Sequence, residues 1–160
     1  MLGRGTVAAV VALALGATLL HAQNLEVIKQ RRGVMRTIGK AADLNWKMFK
    51  GEAPFELAKV QDRLKTYQEQ ASKLKTLFPP DSKSGGDTDA KPSIWTARPE
   101  FEKQVDSFLA TVKAAAGDIK DEASFKSEYP KIVKGCGGCH KPDDGFAPRL
   151  ADSFKKLNQE

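Results

Sequence analysis

The sequence predicts an all-α fold, an antiparallel four-helix bundle. Four segments of similar length repeat apolar residues at spacings of three and four, and no alternating strand pattern, internal repeat or phosphate-binding glycine loop occurs in the 160 residues. Only one connection, residues 79–98, is long. It is rich in Pro, Gly, Ser and Asp, exceeds an ordinary hairpin loop and is expected to cross the bundle, pinned by packing of Ile94 and Trp95.

The first 22 residues stand outside the bundle. Arg4 supplies a short positive region, Val7 to Leu20 is an apolar run of 14 residues, and Leu20-His21-Ala22 is an A-x-A-like cleavage site before Gln23. This reads as a secretory signal peptide, too short and too weakly flanked for a membrane-spanning helix. Cleavage leaves 138 residues, enough for one domain with a sizeable core. The expected division is 1–22 signal peptide, 23–142 bundle domain and 143–160 a tail without an assigned role beyond a short helix after Pro148. Without Arg4 the chain carries 25 basic and 20 acidic side chains, a formal charge of +5. That mild excess suits steering toward acidic partners or anionic surfaces. It is weak support for a nucleic-acid partner, and export argues against one.

The first helix is expected over residues 24–50. Ile28, Met35, Ala42 and Phe49 recur every seven residues, with Arg31, Ile38 and Asn45 or Trp46 between them. Asn24 is the expected N-cap and Gly51 the stop. Pro54 suits the first turn of a second helix carrying Leu57, Val60, Leu64, Tyr67, Ala71, Leu74 and Phe78, ended by Pro79-Pro80. A third starts near Pro99 with Phe101, Val105, Phe108, Val112, Ala115 and Ile119 on one stripe. After a turn at Gly117-Asp118, Phe125, Tyr129, Ile132, Cys136 and Cys139 mark the fourth. Pro130 inside that stripe is expected to break or kink it.

Chemistry concentrates in Cys136-Gly137-Gly138-Cys139-His140. Cys-x-x-Cys-His is the pattern by which a chain holds haem covalently. Two thiols add to the two vinyl groups on one porphyrin edge, and the adjacent imidazole binds iron. On a helix the three residues stand at i, i+3 and i+4, on one face. A zinc site would need four ligands, and only two Cys and one other His exist. A dithiol redox pair, the main competitor, belongs with a βαβ pattern that this chain lacks. Both cysteines become thioethers in the haem reading, and the periplasm is the compartment in which such attachment occurs.

Three further segments give these residues a family likeness. Arg31-Arg32-Gly33-Val34-Met35, Lys50-Gly51-Glu52-Ala53-Pro54-Phe55 and Lys91-Pro92-Ser93-Ile94-Trp95, in that order before the C-terminal motif, resemble the class II c-type cytochromes, cytochrome c′ and its low-spin relatives. The likeness covers about residues 26 to 141. It departs at Arg32, where the family usually has Gln, and in the length of the tail. Gly137 and Gly138 each cost about 1 kcal/mol of helix propensity, and Pro142 disfavours helix beyond His140. The resemblance implies one covalent haem c with His140 as the proximal iron ligand. It also implies a homodimer paired through the first two helices and Arg31 near the haem propionates, where a guanidinium can pair with a carboxylate.

Counting narrows the sixth ligand. His21 and Met1 leave with the signal peptide, so a second His is unavailable and Met35 and Met48 remain. Thirteen residues apart, they differ by about 220° around a helix. Met35 shares the apolar stripe and is expected to face the core; Met48 is expected to point elsewhere. Gly39, one turn on, is expected to clear space for a flat ring. Without a haem, Met35 would be ordinary packing; in the low-spin branch a Met at this position binds iron. Trp46, Trp95 and Phe101 are expected in the core or pocket wall, and the lysines on solvated faces.

The leading expectation is therefore a periplasmic mono-haem one-electron carrier, exchanging electrons with periplasmic redox proteins. The alternative is a five-coordinate cytochrome c′ that binds a diatomic gas, NO or CO. An enzyme such as a peroxidase would need a distal acid–base group, and the exported chain has no second His.

Overall fold

The computed structural model describes residues 6–86, 88–141, 145–147 and 150, with side chains from Leu25 onward. Four long helices are present: α1 Thr6–Phe49, α2 Leu57–Ala71, α4 Arg98–Asp118 and α5 Glu122–Cys139, with a single-turn α3 at Ser93–Thr96. No strand occurs among the described residues. α1 packs on α2, α2 on α4, α4 on α5, and α5 returns to α1, closing the ring of a four-helix bundle.

α1 is longer than expected. Its backbone is helical from Thr6, so Asn24 lies within it and does not cap it in the uncleaved chain. Alanine and leucine, strong helix formers, fill much of residues 7–24, and no Pro interrupts them. Residues 1–5, the side chains up to Asn24, Pro148 and residues 151–160 lie outside the described residues, so the expected signal peptide is described only in part, and of the helix expected after Pro148 only Leu150 is described. The stop is where the glycine put it: Gly51 takes φ +76, and Glu52 N–H closes on the Lys47 carbonyl at 2.8 Å.

The core stripe of α1 sits slightly to one side of the expected one. Ile28, Arg31, Val34, Ile38, Ala41, Asn45, Trp46 and Met48 are buried, whereas Met35, Ala42 and Phe49 only flank the core. Met48, expected elsewhere, is 3% exposed and takes a contact from Arg63 Nη1 at 3.5 Å. A 3.6-residue period leaves adjacent seams nearly equivalent; facing helices choose between them.

α2 is shorter than predicted. It starts at Leu57, after Pro54, and ends at Ala71, followed by a 3₁₀ turn at Leu74–Thr76. The Ser72 and Thr76 hydroxyls donate to the carbonyls three residues back, at 3.0 and 2.9 Å, and compete with helical bonding there. Val60, Leu64, Tyr67 and Ala71 are buried as expected. Gln61 Nε2 ties α2 to the end of α4 through the Ala116 and Ile119 carbonyls, at 3.1 and 3.0 Å.

The long connection is pinned as expected. Ile94 is 2% exposed, and Trp95 Nε1 donates to the Phe78 carbonyl at 3.0 Å. α4 begins one residue before Pro99 and buries its predicted stripe.

Candidate functional site: the last turn of α5

α5 starts on a reciprocal cap. Asp121 Oδ1 accepts from Ser124 N–H at 2.8 Å, and Ser124 Oγ accepts from Asp121 N–H at 3.0 Å. Phe125, Tyr129, Ile132 and Val133 are then at most 2% exposed. That packing on both sides holds the helix continuous through Pro130, so the expected break does not occur. The helix ends at Cys139, with His140 as its C-cap, in keeping with the stop expected from Pro142.

This periodicity carries the motif to the boundary between two hydrophobic clusters. Cys136 packs against a first cluster, drawn from all four long helices, and Cys139 against a second, made by Phe78, Ile94, Phe101, Val105 and Phe146. Leu74, Leu77 and Leu109 touch both. On another side of the same turn, glycines let α5 approach α4 closely. A Cβ at Gly135 would lie 3.2 Å from Phe108 Cδ2, and one at Gly138 2.6 Å from Gln104 Oε1.

The thiols carry a chemical signal. Burial pushes Cys136 up to about 12 and Cys139 up to about 11, with the neighbouring Cys139 charge adding to the Cys136 shift. A dithiol redox pair requires the opposite, a lowered thiol pKa. Two half-buried thiols one turn apart, with apolar walls on either side and an imidazole next in sequence, fit the donor set and surroundings of a covalently held, flat, largely apolar ring. His140 itself is half-buried, and its N–H donates to the Cys136 carbonyl at 3.1 Å.

The other expected site residues divide between the clusters. Met35 is half-buried on α1 and packs against the first cluster, as Cys136 does from α5. Gly39 is exposed and a Cβ there would meet nothing within 4 Å, so no protein contact demands the glycine. Arg31 is 3% exposed. Its guanidinium donates to the Ser82 hydroxyl at 2.8 Å, the Ser82 carbonyl at 3.0 Å and the Thr88 hydroxyl, and lies 4.9 Å from the Phe78 ring centroid and 5.8 Å from that of Trp95. All these acceptors are neutral, and burial lowers its pKa. Arg31 thus fastens the crossing connection to α1 beside the second cluster.

Sequence reasoning missed several participants. Ser82 and Thr88, which hold Arg31, carry no pattern that sets them apart from other loop hydroxyls. Phe146 lies in the tail, a segment with no apolar period to single it out. Tyr67 and Tyr129 stand on the predicted stripes of the second and fourth helices. Their hydroxyls lie in a buried polar group near Cys136: Tyr129 donates to the Ala42 carbonyl at 2.9 Å, and Asn45 Nδ2 to Tyr67 at 3.5 Å. Burial first, and then neighbouring charges, raise both phenols well above their ordinary value.

Comparison with known proteins places this geometry. The family model described as Cytochrome C′ matches residues 26–142. A cytochrome c′ of Rhodopseudomonas palustris is 40% identical over 126 residues, covering 79% of this chain and 86% of that protein. A cytochrome c-556 of the same organism is 33% identical over 134 residues, covering 81% and 89%. The structure of R. palustris cytochrome c′ superposes with a TM-score of 0.72 at 38% identity, covering 78% of this chain and 98% of that one. A structural model of oxidized R. palustris cytochrome c556 gives 0.67 at 28% identity, with the same two coverages, 78% and 98%.

Proposed function

The chain belongs to the cytochrome c′ family, and from that premise we propose that it is a periplasmic one-electron carrier whose haem iron is bound by His140 and Met35. Its cofactor is a single covalently attached haem c, and it is an electron carrier or gas-binding protein of that class. Cytochrome c′ is itself a type example of the up-down-up-down bundle, so the helix ring here is the family's own.

Cys136 and Cys139 hold the ring by thioether bonds, and His140 supplies the proximal nitrogen. The bound group contributes an iron that cycles between ferrous and ferric states. The protein's part is to fix the ring and keep water from it. The two clusters meeting at the motif do both, and an apolar surround with thioether ligation favours a comparatively high potential. The observation that carries the Met35 assignment is its place against the cluster that also receives Cys136, on the helix that α5 faces. Met48 lies under Arg63, deep in the bundle.

A second reading has its own support: Met35 is only half-buried, and the relative with 40% identity is a cytochrome c′. In that reading the distal face stays open for NO or CO. A visible spectrum separates the two. A Met-ligated protein is low-spin, shows the weak near-infrared sulfur-to-iron band and takes up CO slowly; Met35→Leu then turns it high-spin and CO-reactive, while Met48→Leu changes neither property. A wild type already high-spin and fast with CO overturns Met35 ligation and leaves the gas-binding reading.

Attachment is tested separately. Acid-acetone leaves haem on the wild type, and Cys136→Ala with Cys139→Ala abolishes that retention. Proteins of this family are periplasmic; export here proceeds through residues 1–22, so the intact mass of the periplasmic protein corresponds to a chain starting at Gln23 plus one haem. Its partners are periplasmic redox proteins, and it pairs as a homodimer through α1 and α2.

A further inference from the structure

The chain returns onto the haem motif soon after leaving it. α5 ends at Cys139, in a turn whose last carbonyls have no intrahelical donors. The Cys139 carbonyl accepts from Phe146 N–H at 2.8 Å and Ala147 N–H at 3.2 Å. Gly145 and Phe146 bond onward to the turn that carries α3. The Phe146 carbonyl accepts from Lys91 N–H at 3.1 Å, and the Gly145 carbonyl from the Ser93 hydroxyl at 3.0 Å. The Phe146 ring is 8% exposed and meets Phe101 edge-on, with centroids 5.4 Å apart. A Cβ at position 145 would lie 2.6 Å from Lys141 N and 2.7 Å from the Lys141 and Cys139 carbonyl oxygens, backbone atoms that cannot turn aside. The position requires glycine.

From these contacts we propose that Gly145-Phe146-Ala147 is a positioning element for the haem motif. It fixes the end of α5, and with it the Cys139 sulfur and the His140 imidazole, against α4 and the 91–96 turn. The inference rests on the haem reading above. Cys139 and His140 stand at a helix end that two glycines weaken and that Pro142 discourages from continuing. Left to itself, such an end frays, and the imidazole would sample several orientations about its bond to iron. Backbone bonds on the Cys139 carbonyl and a ring seated in the second cluster select one. Phe146 acts through Cys139 and the helix end; the motif's own side chains do the ligation.

The test uses the holoprotein and its variants Phe146→Ala, Gly145→Ala and Phe146→Leu. Ferric electron paramagnetic resonance reports the orientation of the axial ligands, and amide hydrogen exchange reports the backbone bonds. The alanine variants are expected to keep covalent haem through acid-acetone extraction. Their resonance should split into more than one population, and amide exchange at Lys91 and His140 should quicken at least about tenfold. Phe146→Leu should restore a single population. Ser93→Ala removes one hydroxyl outside the segment and should move the same readouts by less, which keeps the test usable should Phe146→Ala fail to fold. Variants that lose only thermal stability, with one unchanged resonance, overturn the positioning role. A wild type whose haem extracts freely overturns the haem reading, and the positioning role falls with it. Covalent haem with an unmoved signature overturns the positioning role alone.

Discussion

The cluster in the body of the bundle takes residues from four helices at regular spacing. The cluster beside Cys139 takes them from one face of α4, the residues around α3, the end of the α2 segment and the tail. In the first, side chains such as Leu64, Val112 and Phe125 are fully buried on backbone that already satisfies its own hydrogen bonds within helices. In the second, irregular backbone brings polar groups inside, and each must find a partner. Arg31 meets Ser82 and Thr88, Trp95 Nε1 meets Phe78, and the Cys139 carbonyl meets the tail. The body of the fold is therefore specified by apolar periodicity, and the cluster beside Cys139 by a set of single polar contacts.

The largest expected effect lies in the body. Phe125→Ala removes a fully buried ring that meets Phe55 and Tyr129, and should cost about 3–5 kcal/mol in urea unfolding. A cost below about 1 kcal/mol would deny that this cluster is close-packed. Arg31→Met is the matching lesion at the haem end. It keeps apolar volume but leaves the Ser82 hydroxyl and carbonyl without their guanidinium donor, takes one of two donors from the Thr88 hydroxyl and removes the cation from Phe78. About 2 kcal/mol should be lost, with amide exchange quickening around residues 77–88 and little changed in α2. Arg31→Lys should not restore it, since one ammonium cannot reproduce the planar fork. If Arg31→Met loosens the whole bundle equally, the two clusters are not separable.

Tyr129→Phe sharpens the contrast inside the first cluster, where polar bonds are few. Loss of the hydroxyl that serves the Ala42 carbonyl should cost about 1 kcal/mol, with an unchanged denaturant slope. The smallest effect belongs to the α5 cap. The Ser124 hydroxyl and N–H hold the Asp121 carboxyl below the usual carboxylate range. Its contribution is present above the unfolded-state pKa and is lost as pH falls through the folded one. Asp121→Asn keeps an acceptor for the cap, so the variant should approach wild-type melting temperature near neutrality and show a shallower decline in acid.

Much of this was legible in the chain. The stripes of α4 and α5 were read residue by residue, because consecutive buried positions leave little freedom in a regular helix. The Cys136-Cys139-His140 spacing is legible because the three residues lie within two turns of one helix end. Two features needed the neighbours. The stripe of α1 keeps Ile28, Arg31, Ile38, Asn45 and Trp46 from the expected one, but the facing helices bury Met48 and leave Met35 at the margin. Pro130 predicts a break or a kink, and buried Phe125 and Tyr129 before it and Ile132 and Val133 after it keep the helix continuous.

The sequence alone determined the four long helices, the Cys-x-x-Cys-His motif with its place at the end of the last of them, and the packed Ile94-Trp95 turn. Each is encoded locally, in a period, a spacing or a proline. Tertiary structure alone decided that Arg31 is spent on Ser82 and Thr88, that the α2 segment breaks at Ala71, and that Phe146 comes back to the carbonyl of Cys139. Those partners lie far apart in sequence, or belong to irregular backbone whose hydrogen bonds have no fixed register. Only closing the chain in three dimensions determines which donor reaches which acceptor.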